Sequence, residues 1–139
     1  MAARLLLPLF LLTLKELGRY LKGEKADGIF LDYFGTPDPH YYGIKYVPLG
    51  MINTISDNES TSQARSLRAG DNIDFSRENK VLFAISATNL QATYYADKNL
   101  FSWLKNIKPD KIVAHSIFVY NMSAHPLEYA KLKALMHLQ

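Results

Sequence analysis

Three short apolar runs, rich in β-branched and aromatic residues, predict buried strands. They span residues 28–34, 81–87 and 112–120. Asp32 alone interrupts the first run, which suits a strand covered on both faces better than one with alternating exposure. Because helical patterns separate the runs, the sequence predicts an α/β fold with a small, largely parallel sheet of at least three strands flanked by helices.

Three segments carry apolar residues at helical spacing. The first runs from Leu7 to Leu21, and Gly23 is suited to end it. The second spans residues 97–107, where Asp97 can cap the start and a proline follows the end. The third spans residues 126–139. We therefore expect three amphipathic helices.

Residues 45–80 form the least regular part of the pattern. Ser56 and Glu59 have the spacing of a capping box, and Gly70 would end a short helix. The alternative is a polar loop, since small polar residues crowd residues 53–62. The sequence leaves both open.

The N-terminus has the basic start and short apolar core of a secretory signal. However, no small-x-small cleavage site follows, and the apolar stretch ends at Leu14, short of the roughly 20 residues of a membrane span. A helix buried by the domain is the favoured interpretation, and a membrane-associated or secretory remnant is the alternative. We predict one domain over residues 1–139, with an apolar segment of uncertain origin at 1–13. A homodimer through this apolar helix is a further prediction.

Composition narrows the class of protein. A chain of 139 residues with 48% hydrophobic and 21% charged residues is typical of one globular domain. The net charge is +3, and basic residues are scattered among acidic ones, so the sequence offers no support for nucleic-acid binding. Because the chain has no cysteine, disulfides, thiolate catalysis and cysteine metal sites are excluded.

Polar and aromatic residues follow the first two strands. In an open parallel sheet, ligands bind in the crevice beyond the carboxyl ends of the strands, where residues 34–42, 86–91 and 121–125 would meet. Short donors and acceptors beside tyrosine faces suit a sugar or another polyhydroxyl group. The alternative is a polar turn that Asp38 simply caps. The candidate ligand-binding residues are Thr36, Asp38, His40, Tyr41, Tyr42, Thr88, Asn89 and Gln91.

The sequence carries no catalytic or cofactor signature. His115 and Ser116 are adjacent, so on one strand they would point to opposite faces, and a core histidine is the favoured interpretation. The remaining histidines lack metal-ligand spacing, and no glycine-rich phosphate loop is present, so we expect no metal and no cofactor. Asp32 needs a partner, since burying an unpaired carboxylate is costly, and a structural partner in the next loop is favoured.

Three ordered blocks of the chain resemble one known family. They are residues 31–44 (LDYFGTPDPHYYGI), 84–91 (AISATNLQ) and 115–120 (HSIFVY). Together they are similar to the C-terminal globular domain of bacterial polytopic glycosyltransferases. This mannosyltransferase and aminoarabinose-transferase group takes sugars from polyprenyl-phosphate carriers at the outer face of the membrane. The resemblance runs from about Leu14 to Tyr120, and none of its blocks is a catalytic signature.

The resemblance implies an extracytoplasmic domain, attached in its parent to membrane helices that carry the donor site and the catalytic acid. The chain alone would then be inactive, and soluble. The family has a strand ending in an Asp-Ser-Asn-x-Asp-Trp-Gly-Gln-like segment before the first helix, where this chain has Leu5 to Thr13. That departure leaves open whether the sheet is complete at its N-terminal edge.

These observations predict a non-catalytic accessory domain of a membrane glycosyltransferase. Its partners would be acceptor glycan, lipid-linked sugar or the transmembrane part of the parent enzyme, and a purely structural cap is the nearest alternative. The rival from another class is a free-standing small α/β hydrolase or transferase that uses Asp32, Asp38 and His40. An inward cluster of these three would favour the enzyme, and a shallow aromatic shelf would favour binding.

Overall fold

A computed structural model describes residues 9–35, 37–49, 71–93 and 95–137 of the chain. Short 3₁₀ turns connect several of the main elements. The α-helices and strands of the described part are α1 (Leu9–Gly23), β1 (Ile29–Asp32), β2 (Tyr46–Pro48), β3 (Leu82–Ser86), α2 (Ala87–Leu90), β4 (Lys111–Val113), β5 (Ile117–Asn121) and α3 (Pro126–His137).

The five strands form one open, mixed sheet in the order β2-β1-β3-β5-β4. β1 pairs in parallel with both β2 and β3, whereas β5 is antiparallel to both β3 and β4. The predicted α/β fold is confirmed. The prediction of a largely parallel sheet was wrong, because the third apolar run folds back on itself instead of crossing over the sheet.

That third run is a β-hairpin. Ser116 N donates a hydrogen bond to Val113 O at 3.0 Å, and the two residues between them, Ala114 and His115, have φ values of 50° and 59°. Left-handed conformations at both central residues are what the tight type I′ hairpin turn requires. The turn lacks the usual Asn or Gly, so the run resembles one continuous strand in the sequence. His115 is exposed at this turn and is not the core histidine that the sequence suggested.

α1 confirms the first predicted helix and covers one face of the sheet. Its residues Leu14, Leu17 and Leu21 are buried in a core cluster that includes alternate strand residues such as Leu31 and Ala84. The same apolar side chains are thereby already covered. A homodimer through this helix would have to use other residues, and it stays a prediction.

A second core cluster covers the opposite face of the sheet. Phe30 and Phe83 alternate along their strands with the residues that face α1, and they pack in a cluster with Leu104 and Leu132. Leu104 lies in a 3₁₀ turn, Ser102–Asn106, where the sequence predicted an α-helix. Asp97 still caps the preceding turn, since its Oδ1 accepts from Asn99 N at 2.9 Å.

The C-terminal helix prediction is confirmed by α3, whose residue Leu132 is fully buried. The short helix predicted between Ser56 and Gly70 lies outside the described residues. Within the described ranges, no helix combines the length and the apolar composition needed to cross a membrane.

Candidate functional site

The carboxyl ends of β1 and β3 lie side by side, because these strands are parallel and in register from Phe30 opposite Phe83. β5 runs the other way, and it brings its first residue, Ile117, opposite Ser86 at the same end of the sheet. Residues 121–125, predicted to join the crevice, follow the far end of β5 instead. The hairpin turn takes their place.

A cavity of about 270 Å³ lies at this end of the sheet, on the face that α1 covers. Five of its lining side chains carry a hydroxyl group, and among the described residues that line it none is charged. Two aromatic residues, Tyr33 and Phe34, are also part of the lining. The lining residues are Thr13, Tyr33, Phe34, Ser86, Ala87, Thr88, Ser116 and Ile117.

Hydrogen bonds hold the walls of this cavity together. Phe34 N donates to Ser86 Oγ at 3.0 Å, which joins the segments after β1 and β3. Ala87 N donates to Ser116 O at 2.7 Å, and the hydroxyl oxygens of Thr13 and Ser116 lie 3.3 Å apart. Elements from α1, β1, β3 and the hairpin thus meet at one point.

Tyr33 is the unusual member of this lining. Its side chain is only 2% exposed, and its hydroxyl has no hydrogen-bond partner among the described residues. Burial, with a smaller contribution from Tyr42, raises the pKa of Tyr33 to about 12, so the hydroxyl is protonated at neutral pH. Gly35 passes close by, because a Cβ there would lie 2.4 Å from the Tyr33 hydroxyl. A buried, unpaired hydroxyl costs about 1–3 kcal/mol of folding free energy.

Asp32 lies at the same end of the sheet but on the opposite face. Its carboxylate accepts hydrogen bonds from Tyr95 OH at 2.9 and 2.8 Å and from Asn89 Nδ2 at 2.8 Å. Burial raises the pKa of Asp32 to about 6, although the bonds from Tyr95 and Asn89 oppose this shift. The partners are side chains that follow β3, so Asp32 ties that segment to β1 and does not face the cavity.

His40 lies between two carboxylates near the protein surface. Its Nε2 is 2.6 Å from Asp71 Oδ2, and its Nδ1 is 3.2 Å from Asp38 Oδ1. Tyr46 stacks on the imidazole with ring centroids 4.7 Å apart. Burial alone would lower the pKa of His40, but Asp71 and Asp38 raise it above its ordinary value. Because both ring nitrogens face carboxylates, His40 is placed to hold the turn after β1 and not to act as a general base.

The predicted enzymatic cluster of Asp32, Asp38 and His40 is not assembled, because Asp32 belongs to one hydrogen-bond network and the other two belong to another. Asp38 caps its turn as the alternative interpretation held, since its Oδ1 accepts from His40 N at 3.0 Å. No group of three or more potential metal ligands occurs among the described residues.

The other predicted ligand-binding residues are dispersed. Thr88 lines the cavity, whereas Asn89 is buried against Asp32. Tyr41 and Gln91 are exposed, and Tyr42 lines a separate groove beside α1. Thr36 lies outside the described residues.

Sequence reasoning anticipated about half of the cavity lining, since Phe34, Ser86, Ala87 and Thr88 fall in the segments 34–42 and 86–91 that were predicted to meet at the crevice. Tyr33 was counted as a strand residue, although it follows Asp32, the last residue of β1, and so stands at the edge of the crevice. Ser116 was placed in mid-strand, and Thr13 was placed in a helix that was not linked to the crevice. Among the missed residues, only the position of Tyr33 near the end of the first apolar run could have signalled its role.

Comparisons with models of protein families, with curated proteins and with solved structures found no match to this chain. The resemblance to glycosyltransferase domains therefore stays a prediction.

Proposed function

We propose that this chain is a non-catalytic accessory domain of a bacterial membrane glycosyltransferase, and that its hydroxyl-lined cavity binds one sugar residue. The observation that carries the proposal is the cavity itself, whose lining holds five hydroxyl-bearing residues and, among the described residues, no charged one. The resemblance of residues 31–44, 84–91 and 115–120 supports the choice of family.

The lining suits a neutral polyhydroxyl ligand. Hydroxyl groups both donate and accept, so they can match sugar hydroxyls of either orientation, and the half-buried ring of Phe34 can cover the apolar C–H surface of a pyranose. The volume of about 270 Å³ lies near the lower end of ligand pockets, about 300–1,000 Å³. One ring of a glycan fits this size better than a longer chain.

In this proposal the domain lies at the outer face of the cytoplasmic membrane, and the catalytic groups belong to the membrane part of the parent enzyme. The cavity would hold acceptor glycan or lipid-linked sugar away from the reacting bond. Binding energy gained at such a remote position can be used to orient the reacting groups. The domain itself performs no bond-making step.

The test is an amide NMR titration of the full chain with methyl α-mannoside, methyl β-glucoside and N-acetylglucosamine. We expect saturable shifts at Phe34, Ser86, Ala87 and Ser116, whose amides belong to the cavity walls. The sugar site would be overturned if none of these amides shifts with up to about 50 mM probe, a concentration far above the Kd of even weak binding of about 1 mM. The structural cap would then be the better account.

A matched pair of variants locates the binding. Thr88→Val removes a hydroxyl from the cavity lining with little change in volume, while Thr93→Val makes the same change at an exposed residue that does not line the cavity. The first variant should raise the dissociation constant of the probe by about five- to tenfold, as expected for the loss of one hydrogen bond of about 1 kcal/mol. The second should leave it unchanged.

A further inference from the structure

A second cavity, of about 230 Å³, lies between α1 and the turn that follows β1. Three basic side chains and one tyrosine dominate its lining, which consists of Lys15, Gly18, Arg19, Lys22 and Tyr42. We call it the basic groove. Residues spaced by three or four positions share one face of a helix. The basic residues therefore form a stripe beside the apolar stripe that packs on the sheet.

The positive charge of the basic groove is only partly neutralised. Arg19 Nη1 pairs with Glu16 Oε1 at 2.9 Å, and both side chains are exposed, so this pair contributes little and can open. Lys15 and Lys22 make no ion pair with any residue that the structure describes. Two free ammonium groups and one weakly held guanidinium thus line the groove.

Backbone packing fixes the tyrosine wall of the groove. A Cβ at Gly18 would lie 3.0 Å from Tyr42 O and 3.7 Å from Ile44 Cγ1, so the absence of a side chain lets this turn approach the helix closely. Tyr41 stands next to Tyr42, with ring centroids 6.1 Å apart, and it is 88% exposed. A large, solvated aromatic ring therefore lies beside the basic stripe.

We infer that the basic groove binds the phosphate headgroups of an anionic bilayer surface. Lys and Arg near such a surface are attracted to it, and tyrosine rings favour the boundary between headgroups and acyl chains. The stripe lies on α1, and the sequence from Leu5 to Leu12, which leads into the helix and includes its first residues, is apolar. Charge and aromatic composition together favour a membrane surface over a soluble anion, which would gain nothing from Tyr41.

The inference stands on the groove and does not require the sugar site. The first measurement is co-sedimentation of the full chain with vesicles of phosphatidylcholine, alone or mixed with phosphatidylglycerol. We expect binding that needs phosphatidylglycerol and that weakens as salt is added, because salt screens exposed charges.

Two double variants of equal net charge localise the effect. Lys15→Gln with Lys22→Gln removes the free cations of the groove, whereas Lys105→Gln with Lys131→Gln removes two exposed lysines from elements that pack on the other face of the sheet. The groove variant should lose about thirtyfold in binding to phosphatidylglycerol vesicles, since each Lys near an anionic surface contributes about 1 kcal/mol. The control should stay within about twofold.

Tyr41→Ser gives an independent readout, because it changes no charge and Tyr41 is too exposed to support the fold. It should also weaken vesicle binding.

Equal losses in the two double variants would overturn the inference in favour of unspecific attraction. Saturable shifts at Gly18 and Lys22 with inorganic pyrophosphate, without vesicle binding, would overturn it in favour of a small-anion site. Thr88→Val should leave vesicle binding unchanged, so failure of the sugar site and failure of this surface are distinguishable.

Discussion

Two carboxylates, Asp32 at the carboxyl end of β1 and Asp71 beside Tyr46, the first residue of β2, have pKa values shifted in opposite directions. Asp32 is fully buried, and its hydrogen-bond donors among the described residues, Tyr95 and Asn89, are neutral, so burial dominates and raises its pKa to about 6. Asp71 is partly exposed. Burial opposes the shift there, but the amide of Tyr46 and the ring of His40 lower its pKa.

The contrast shows what a carboxylate contributes in each place. Within the sheet, Asp32 binds together segments that are 63 residues apart, and the neutral donors of Tyr95 and Asn89 lower the cost of its burial without cancelling it. At the surface, Asp71 and His40 close a turn through opposite charges. Burial therefore favours the protonated form of Asp32, whereas the pairing of Asp71 with His40 favours the charged forms of both groups.

The largest expected difference is in the pH dependence of stability. A carboxyl group whose pKa is higher in the folded than in the unfolded state adds to the free energy of unfolding while it is protonated. For Asp32 this contribution is lost as the pH rises from 3.8 through about 6. The shift corresponds to about 3 kcal/mol. Asp32→Asn should remove this decline. Urea unfolding of both proteins across this range measures it, and parallel profiles would contradict the burial of an ionised Asp32.

The next expected effect is that of Tyr95→Phe, which removes the hydroxyl bonded to both oxygens of Asp32. At neutral pH the variant should lose about 2 kcal/mol of unfolding free energy, since hydrogen bonds to charged groups contribute about 1.5–3 kcal/mol. The loss should shrink near pH 4, where Asp32 is protonated. Tyr41→Phe, at an exposed tyrosine, is the control and should change little. If the loss is the same at both pH values, the stabilisation by Tyr95 does not depend on the charge of Asp32, and this prediction is wrong.

A smaller effect is expected for Asp71→Asn. The raised pKa of His40 gives a contribution that is present below 6.5 and lost as pH rises through the folded value. The lowered pKa of Asp71 gives a contribution to stability that is present above pH 3.8 and is lost as the pH falls through the folded-state pKa. The variant should therefore lose about 0.5–1 kcal/mol near pH 5.5 and less near pH 8.5. An NMR titration of the His40 ring should show its pKa fall, and an unchanged ring pKa would exclude the pairing.

The smallest expected difference is the response to salt. Raising ionic strength screens partly exposed charges and leaves a fully buried network almost untouched. In the same NMR titration, the pKa of His40 should move towards 6.5 as NaCl is added, while that of Asp32 should stay constant. Equal salt sensitivity of both groups would show that solvent reaches Asp32.

Much of the fold could be predicted from the sequence where the signal is local. The helical spacing of Leu14, Leu17 and Leu21 placed α1, and the apolar runs placed β1 and β3. The hairpin was missed, because Ala114 and His115 adopt left-handed conformations without the Asn or Gly that normally signals them. The 3₁₀ turn at Ser102–Asn106 was predicted as an α-helix, since its apolar spacing is nearly the same.

The candidate site was predicted only in outline. The crevice after β1 and β3 was expected, and Thr88 lines it. Asn89 was also expected there, but it turns to the opposite face to meet Asp32. Residue type shows that a side chain can bind a ligand. It does not show on which face of the sheet that side chain will lie.

The sequence by itself determined the α/β class, α1, α3 and the strands that end in polar loops, because apolar periodicity acts over a few residues. Tertiary structure decided the direction of β5, and hence that Ser116 lines the cavity while residues 121–125 lie at the other end. It also decided the partners of Asp32 and His40, found 63 and 31 residues away. Strand pairing and the burial of polar groups depend on contacts between distant parts of the chain. A buried carboxylate can accept hydrogen bonds only from the donors that lie near it in the folded protein.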